Sequence, residues 1–143
     1  MEYVQFISPC KILGAMKVLE IHDIDGGRLA FDLHAVLLAC GQGVLVSTWR
    51  LFNVESFGLA NNAVHEISDS ARPVTGFDLL KLSEGLHQTV DGKFEATFPD
   101  ADEPWLVILA IDSTLFEVHT DSTQVLAEIQ SRFADVRFRA ESV

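Results

Sequence analysis

Histidine and aspartate side chains flank a Gly-rich turn near the start of the chain. His22 precedes the turn at residues 25–27, and His34 follows it. With Asp23 and Asp32 beside them, they could bind a divalent metal or perform acid–base chemistry, because His is the usual general base near neutral pH. A third ligand at the fixed spacing of a zinc site is missing from the sequence. We therefore favour polar pairing across a hairpin over a metal or catalytic site.

Three further side chains have types that could do chemistry. His119 lies two positions before Asp121, beside a predicted helix N-terminus, where a catalytic histidine could act. A surface histidine at a strand end is the simpler interpretation. Cys10 precedes Lys11, which could activate it, but a nucleophilic cysteine also needs a positioned base. We favour two reduced core thiols for Cys10 and Cys40, because disulfides are rare in a chain without a signal peptide. A disulfide between them is the alternative.

The most distinctive polar feature is acidic. Residues 91–121 contain eight acidic residues against one basic residue, Lys93. Within them, residues 99–104 form a Pro-bracketed segment, the acidic loop, which carries the carboxylates of Asp100, Asp102 and Glu103. Three adjacent carboxylates do not supply the roughly six to eight oxygens that Ca²⁺ needs. We predict that the loop binds a basic protein, because clustered anions steer a cationic partner; the alternative is a solvated loop that keeps the protein soluble.

Trp105 follows the acidic loop directly. Trp is over-represented at interface hot spots, so an exposed Trp105 beside carboxylates would suit a protein-binding patch. Burial in the core is the alternative for a side chain of this size. The predicted partner-binding residues are Asp100, Asp102, Glu103 and Trp105. We assign no catalytic residue and no metal ligand.

The composition excludes several classes of function. The 143 residues include 10 Lys and Arg against 21 Asp and Glu, a net charge of −11, which disfavours nucleic acid as a partner. The 48% of hydrophobic residues favours a folded domain over disorder. The sequence has no GxGxxG, Walker, GxSxG, HExxH or EF-hand motif, so we expect no cofactor. It also lacks a basic leader with an apolar run and any apolar run of about 18–20 residues, so we expect a cytoplasmic protein without a membrane partner.

The first half of the chain has the alternation of half-buried strands. Residues 18–22 predict one strand, residues 29–37 a second after the Gly turn, and residues 44–54 a third. Together these strands predict an antiparallel meander. Residues 59–69 then have weak helical spacing.

The second half is predicted to begin with a helix and continue as β-β-β-α-β. The helix is predicted over residues 76–90, with a capping box at Thr75 and an end at Asp91-Gly92. The elements that follow are strands around 94–98, 105–111 and 115–119, a helix capped by Asp121, and a short basic edge strand at 136–139.

These elements predict an α+β fold in one domain, residues 1–143. The sheet is single and largely antiparallel, formed by the N-terminal meander and the C-terminal β-β-β-α-β unit. Two or three helices pack on one of its faces.

Several segments between residues 75 and 138 resemble a class of known proteins. They are Leu79-Leu80-Lys81-Leu82, Gln88 to Phe94, Trp105 to Thr114, and Glu117-Val118. They resemble small acidic bacterial proteins of unassigned function, which are similar to immunity proteins that neutralise secreted toxins. These motifs are structural, so no functional residue is carried over. The resemblance implies an inhibitor that covers a basic toxin domain and has no catalysis of its own.

The charge pattern and the resemblance predict the same function. We expect a non-catalytic acidic protein that binds a basic protein partner, as a monomer or as a homodimer. The alternative is a small enzyme or ligand-binding domain with a pocket lined by His22, His34 and nearby Asp side chains.

Overall fold

The computed structural model describes residues 16–139, which form an α+β fold around one large antiparallel sheet. The strands are β1 (Lys17–Ile21), β2 (Ile24–Asp25), β3 (Arg28–Leu29), β4 (Thr48–Phe57), β5 (Val74–Thr75), β6 (Gln88–Thr97), β7 (Leu106–Ile111), β8 (Leu115–Thr120) and β9 (Val136–Phe138). The helices are α1 (Leu33–Ala39), α2 (Gly43–Val46), α3 (Asn61–Ser70), α4 (Gly76–Ser83) and α5 (Thr123–Arg132). The seven-stranded sheet has the order β5-β4-β6-β7-β8-β1-β9, and β2 and β3 form a separate hairpin. The predicted α+β class with a largely antiparallel sheet is confirmed.

The core lies between one face of this sheet and the helices. A row of residues in register crosses five strands, and all of them are fully buried: Leu51, Phe94, Ile108, Val118 and Leu19. Apolar residues of all five helices complete the same core. Each large side chain buried in this way contributes about 1.5–3 kcal/mol, so this face fixes the fold. Within the described range the helices number five, where the sequence predicted two or three.

The first half of the chain does not form the predicted N-terminal meander. β1 pairs with β8 on one side and with β9 on the other, so its neighbours come from the far end of the chain. Residues 29–37, predicted as a strand, contain most of α1. The buried side chains follow helical spacing: Leu33, Val36, Leu37 and Cys40. Leu33 and Leu37 also fit the pattern of every second residue that predicted a strand.

Two other predicted elements are divided by tertiary contacts. Residues 44–54 begin as the single turn of α2 and become β4 only after Ser47. The helix predicted over 76–90 begins as expected, with Thr75 Oγ1 accepting from Asp78 N at 3.0 Å, but it ends at Ser83. His87 N then donates to Phe57 O of β4 at 2.8 Å, so the following residues enter the sheet as β6 and Asp91-Gly92 lies within that strand.

The C-terminal elements follow the sequence closely. β7 and β8 are strands, and α5 is capped by Ser122, whose Oγ accepts from Val125 N at 3.2 Å, instead of by Asp121. β9 is at the edge of the described sheet, as predicted, with Arg137 exposed. Basic side chains on an edge disfavour pairing with another sheet.

Candidate functional site

The acidic loop has a fixed base. It leaves the sheet at Phe98 and returns at Trp105. The aromatic rings of these two residues stack on each other, with centroids 4.7 Å apart and planes inclined by 6°. In the backbone, Trp105 N donates to Ala96 O at 2.9 Å, and Ala101 N donates to Phe98 O at 3.1 Å. The three predicted carboxylates of the loop are exposed: Asp100, Asp102 and Glu103. They are therefore available to a partner on a support of defined geometry.

Trp105 is half-buried and lies against the body of the protein. Its Nε1 donates to Ser47 Oγ at 2.8 Å, and its carbonyl accepts from Thr120 Oγ1 at 2.8 Å. Its ring packs on Gly43, the first residue of α2, where a Cβ would come within 2.8 Å of Trp105 Cζ2. Trp105 therefore anchors the acidic loop to α2 and β8. Direct contact of its ring with a partner stays a prediction.

Two more carboxylates lie at the same end of the sheet as the acidic loop. Asp121 follows β8, whose end pairs with the start of β7. Asp78 is in the first turn of α4, directly after β5. β5 pairs with the start of β4, which pairs in turn with the end of β6, where the acidic loop begins. We call this set the acidic end: Asp78, Asp100, Asp102, Glu103 and Asp121. None of the five forms an ion pair with another of the described residues.

The other acidic residues of the 91–121 stretch lie elsewhere. Asp91 and Asp112 are near the opposite end of the sheet, where Asp112 N donates to Asp91 Oδ1 at 2.9 Å. Glu95 forms an ion pair with Lys93 at 3.1 Å. The acidic stretch of the sequence is thus divided between carboxylates at one end of the sheet that form no ion pair among the described residues and others that lie elsewhere on the sheet.

Large apolar side chains are exposed beside the acidic loop. Leu45 and Val46 of α2 are 41% and 60% exposed, and Phe77 of α4 is 63% exposed. The two helices touch through their backbones, since a Cβ on Gly76 would overlap the Val44 carbonyl. We call Leu45, Val46 and Phe77 the apolar patch. Gly43 and Ser47, at the two ends of α2, contact Trp105, so the patch and the acidic loop lie at the same end of the sheet.

The histidines are not brought together. His22 Nε2 lies 2.8 Å from Glu20 Oε1 on β1, whereas His34 Nδ1 lies 2.9 Å from Ser83 Oγ at the end of α4. His65 Nε2 accepts from the backbone of β4 at 3.1 Å. The predicted pairing of His22 with His34 across a hairpin is therefore wrong, because the chain after β3 enters α1 instead of returning along β1.

A charged cluster that the sequence reasoning missed lies on the sheet face opposite the helices. Glu20 and Glu117 are in register across β1 and β8, and each accepts from a histidine two residues later, at 2.8 Å. Arg139 Nη1 also donates to Glu117 Oε2 at 2.8 Å. Like charges directly opposite each other destabilise a sheet, so His119 and Arg139 compensate the buried Glu117. The two Glu-x-His sequences are the signal that could have revealed it, because positions i and i+2 share a face.

Neither thiol nor metal chemistry is indicated by the described residues. Cys40 is a buried free thiol, and burial raises its pKa to about 12. Cys10 lies outside the described residues, so neither the favoured pair of reduced core thiols nor the alternative disulfide between Cys10 and Cys40 is tested. Within residues 16–139 we find no group of three or more His, Cys, Asp or Glu side chains that could hold a metal ion. The helices in this range are also too short or too polar to cross a membrane.

Similarity to known proteins does not extend these findings. Comparisons with protein-family models, curated proteins and solved structures found no match. The resemblance to immunity proteins therefore stays a prediction, and the geometry of the acidic end and the apolar patch is the basis for a functional proposal.

Proposed function

We propose that this protein is a non-catalytic binding protein whose acidic end docks a basic protein. One observation carries the proposal: five carboxylates without ion pairs among the described residues share one end of the sheet with the apolar patch. An immunity-type inhibitor of a basic toxin is its most specific form. A cytoplasmic location belongs to the same proposal.

Charge supplies the first part of recognition. Carboxylates that form no ion pair with another described residue create a negative potential that attracts a basic partner and raises the association rate. The fixed base of the acidic loop reduces the entropy that would be lost on binding, because the loop does not have to be ordered by the partner. A basic protein is therefore favoured over a neutral one.

The apolar patch supplies the second part. Protein interfaces combine an apolar centre with a polar rim, and here the exposed Leu45, Val46 and Phe77 lie at the same end of the sheet as the acidic loop. The complementary surface carries large apolar side chains surrounded by Lys or Arg. The apolar patch distinguishes this site from a loop that only keeps the protein soluble, because such a loop needs no apolar neighbours.

A short amphipathic helical peptide built from Leu and Lys is a suitable probe. Its association rate with the wild-type protein should fall steeply with salt. The Asp100→Asn, Asp102→Asn, Glu103→Gln triple variant should associate more slowly, by about tenfold, and with a weaker salt dependence.

The matched control removes three exposed carboxylates away from the acidic end: Asp25→Asn, Glu55→Gln and Asp69→Asn. It carries the same net charge as the test variant, so it should retain most of the wild-type rate. Equal loss in the two triple variants would show that only net charge matters, and the docking proposal would be wrong.

The inhibitor form is tested in cells. The reading frame next to this gene is expressed with and without this protein, and growth is recorded. Growth arrest that the wild-type protein relieves, and that the triple variant relieves less well, supports an immunity role. A neighbouring product that is harmless or is not relieved contradicts the immunity form but leaves the peptide result to decide docking.

A further inference from the structure

A small polar cavity lies at the end of the sheet opposite the acidic end. It measures about 170 Å³ and is formed where the β2–β3 hairpin, the start of α1, the start of β6 and the β7–β8 turn meet. Its lining includes Arg28, Asp32, His87, Gln88 and Ser113. Drug-sized ligands occupy about 300–1,000 Å³, so this cavity fits a smaller molecule.

Asp32 contributes a half-buried carboxylate to the cavity. Its Oδ1 accepts from Thr89 N at 2.8 Å and its Oδ2 accepts from Thr89 Oγ1 at 3.0 Å. A carboxylate has about four acceptor positions, so these two bonds leave capacity for a ligand. No cation lies within ion-pair distance of it among residues 16–139, and burial raises its pKa. A ligand that binds the Asp32 carboxylate therefore has no ion pair among the described residues to displace.

Arg28 contributes the opposite charge to the same cavity. It is exposed on β3, and its guanidinium makes no ion pair with the carboxylate of Asp32. Two residues of opposite charge thus line one small cavity without forming an ion pair with each other. A ligand with two charges of its own could satisfy both groups, whereas a pure cation would be repelled by Arg28 and a pure anion by Asp32.

Neutral groups complete the lining. Gln88 Nε2 donates to Ser113 Oγ at 2.9 Å, which leaves the Gln88 amide oxygen to accept and the Ser113 hydroxyl to donate. Leu29 and Phe31 provide an apolar wall. Ser113 and its neighbour Asp112 both have positive φ, 59° and 50°, and the turn is held to β6 by Ser113 N donating to Val90 O at 2.9 Å. The position of Ser113 is therefore fixed despite an unfavourable backbone conformation.

We propose that this cavity binds a small zwitterion of the α-amino acid class with a short apolar side chain. The ammonium group of the ligand binds the Asp32 carboxylate, and its carboxylate binds the Arg28 guanidinium and the Ser113 hydroxyl. The short side chain contacts Leu29 and Phe31. This site is separate from the acidic end, so it stands whether or not the docking proposal holds.

Calorimetric titration with L-alanine tests the proposal, with propionate and ethylamine as analogues that each lack one charged group. L-alanine should bind the wild-type protein, and each analogue should bind at least about tenfold more weakly, because a charge-assisted hydrogen bond is lost. Absence of L-alanine binding, or equal binding of either analogue, would overturn the proposal.

Two variants locate the binding. Asp32→Asn keeps an acceptor for Thr89 N and can donate to Thr89 Oγ1, so the fold is retained while the charge is removed. Arg28→Gln changes an exposed residue and provides a second test that does not depend on a buried position. Each should weaken L-alanine binding at least about tenfold, whereas the exposed control Asp69→Asn should not. Wild-type affinity in either cavity variant would contradict the proposed site.

Discussion

The indole N–H of Trp105 donates to the hydroxyl of Ser47 over 2.8 Å, and that hydroxyl donates in turn to Gly43 O over 2.7 Å. Ser47 is buried at the end of α2, and Trp105 ends the acidic loop. The two bonds connect the charged and the apolar parts of the proposed docking surface. A partner would therefore meet both parts in a fixed relative position.

Trp105→Phe should lower the free energy of unfolding by more than about 1 kcal/mol, because it removes the hydrogen bond to Ser47 and also the part of the indole that packs on Gly43. Urea denaturation measures this change. In a double-mutant cycle with Ser47→Ala, the two effects should be coupled by about 1 kcal/mol, the part due to the hydrogen bond. Strict additivity would show that the bond contributes nothing to stability.

Arg139→Ala should lower the free energy of unfolding by about 1–3 kcal/mol, because the Glu117 carboxylate is only 7% exposed and would lose a charged partner. The matched control is Arg137→Ala in β9, two residues before Arg139; the partner of Arg137, Asp135, is itself 46% exposed. Its effect should stay below about 1 kcal/mol. Glu117→Gln should reduce the cost of Arg139→Ala, and equal effects of the two arginine variants would contradict this role for Glu117.

Cys40 should resist thiol reagents in the native protein. Burial raises its pKa to about 12, so the reactive thiolate is essentially absent at pH 8. In a Cys10→Ser background, Ellman's reagent should react with Cys40 only after urea unfolds the chain. The unfolded thiol ionises near its usual value, so stability should also fall as pH rises from that value toward 12. Rapid native-state labelling at pH 8 would contradict the buried position of Cys40.

Asp32 should make stability fall as pH rises above the usual aspartate pKa. Burial raises its pKa in the folded state, so the folded protein holds the Asp32 proton more tightly than the unfolded chain does. The Asp32 contribution is therefore most favourable at low pH and is lost as pH rises through the folded-state value. Asp32→Asn should remove this slope and leave the protein at least as stable at pH 7, because both Thr89 bonds can form. Urea denaturation at several pH values measures this pH dependence of the free energy of unfolding, with Asp69→Asn as the control. If Asp32→Asn is less stable than the wild-type protein at pH 7, the Asp32 charge stabilises the fold and this prediction is wrong.

Local patterns in the sequence determined much of the fold. Residues 105–111 predicted the strand β7, and the helix predicted after Asp121 is α5. Thr75 predicted the start of α4 through a hydrogen bond that spans three residues. The exposed carboxylates of the acidic loop also follow from the sequence, since adjacent charges between two prolines are favoured in solvent. In each case the structure is decided by interactions between residues close in sequence or by the contact of charged side chains with water.

Only the tertiary structure decided the end of α4, the neighbours of β1 and the composition of the acidic end. Leu86 and Val90 continue the helical spacing, but the hydrogen bond from His87 N to Phe57 O recruits this segment to the sheet. Trp105 and Ser47 are 58 residues apart in sequence, and no local pattern links them. The sequence established that the protein is acidic; packing and strand register, which act between distant segments, decided which carboxylates lie together and which are neutralised.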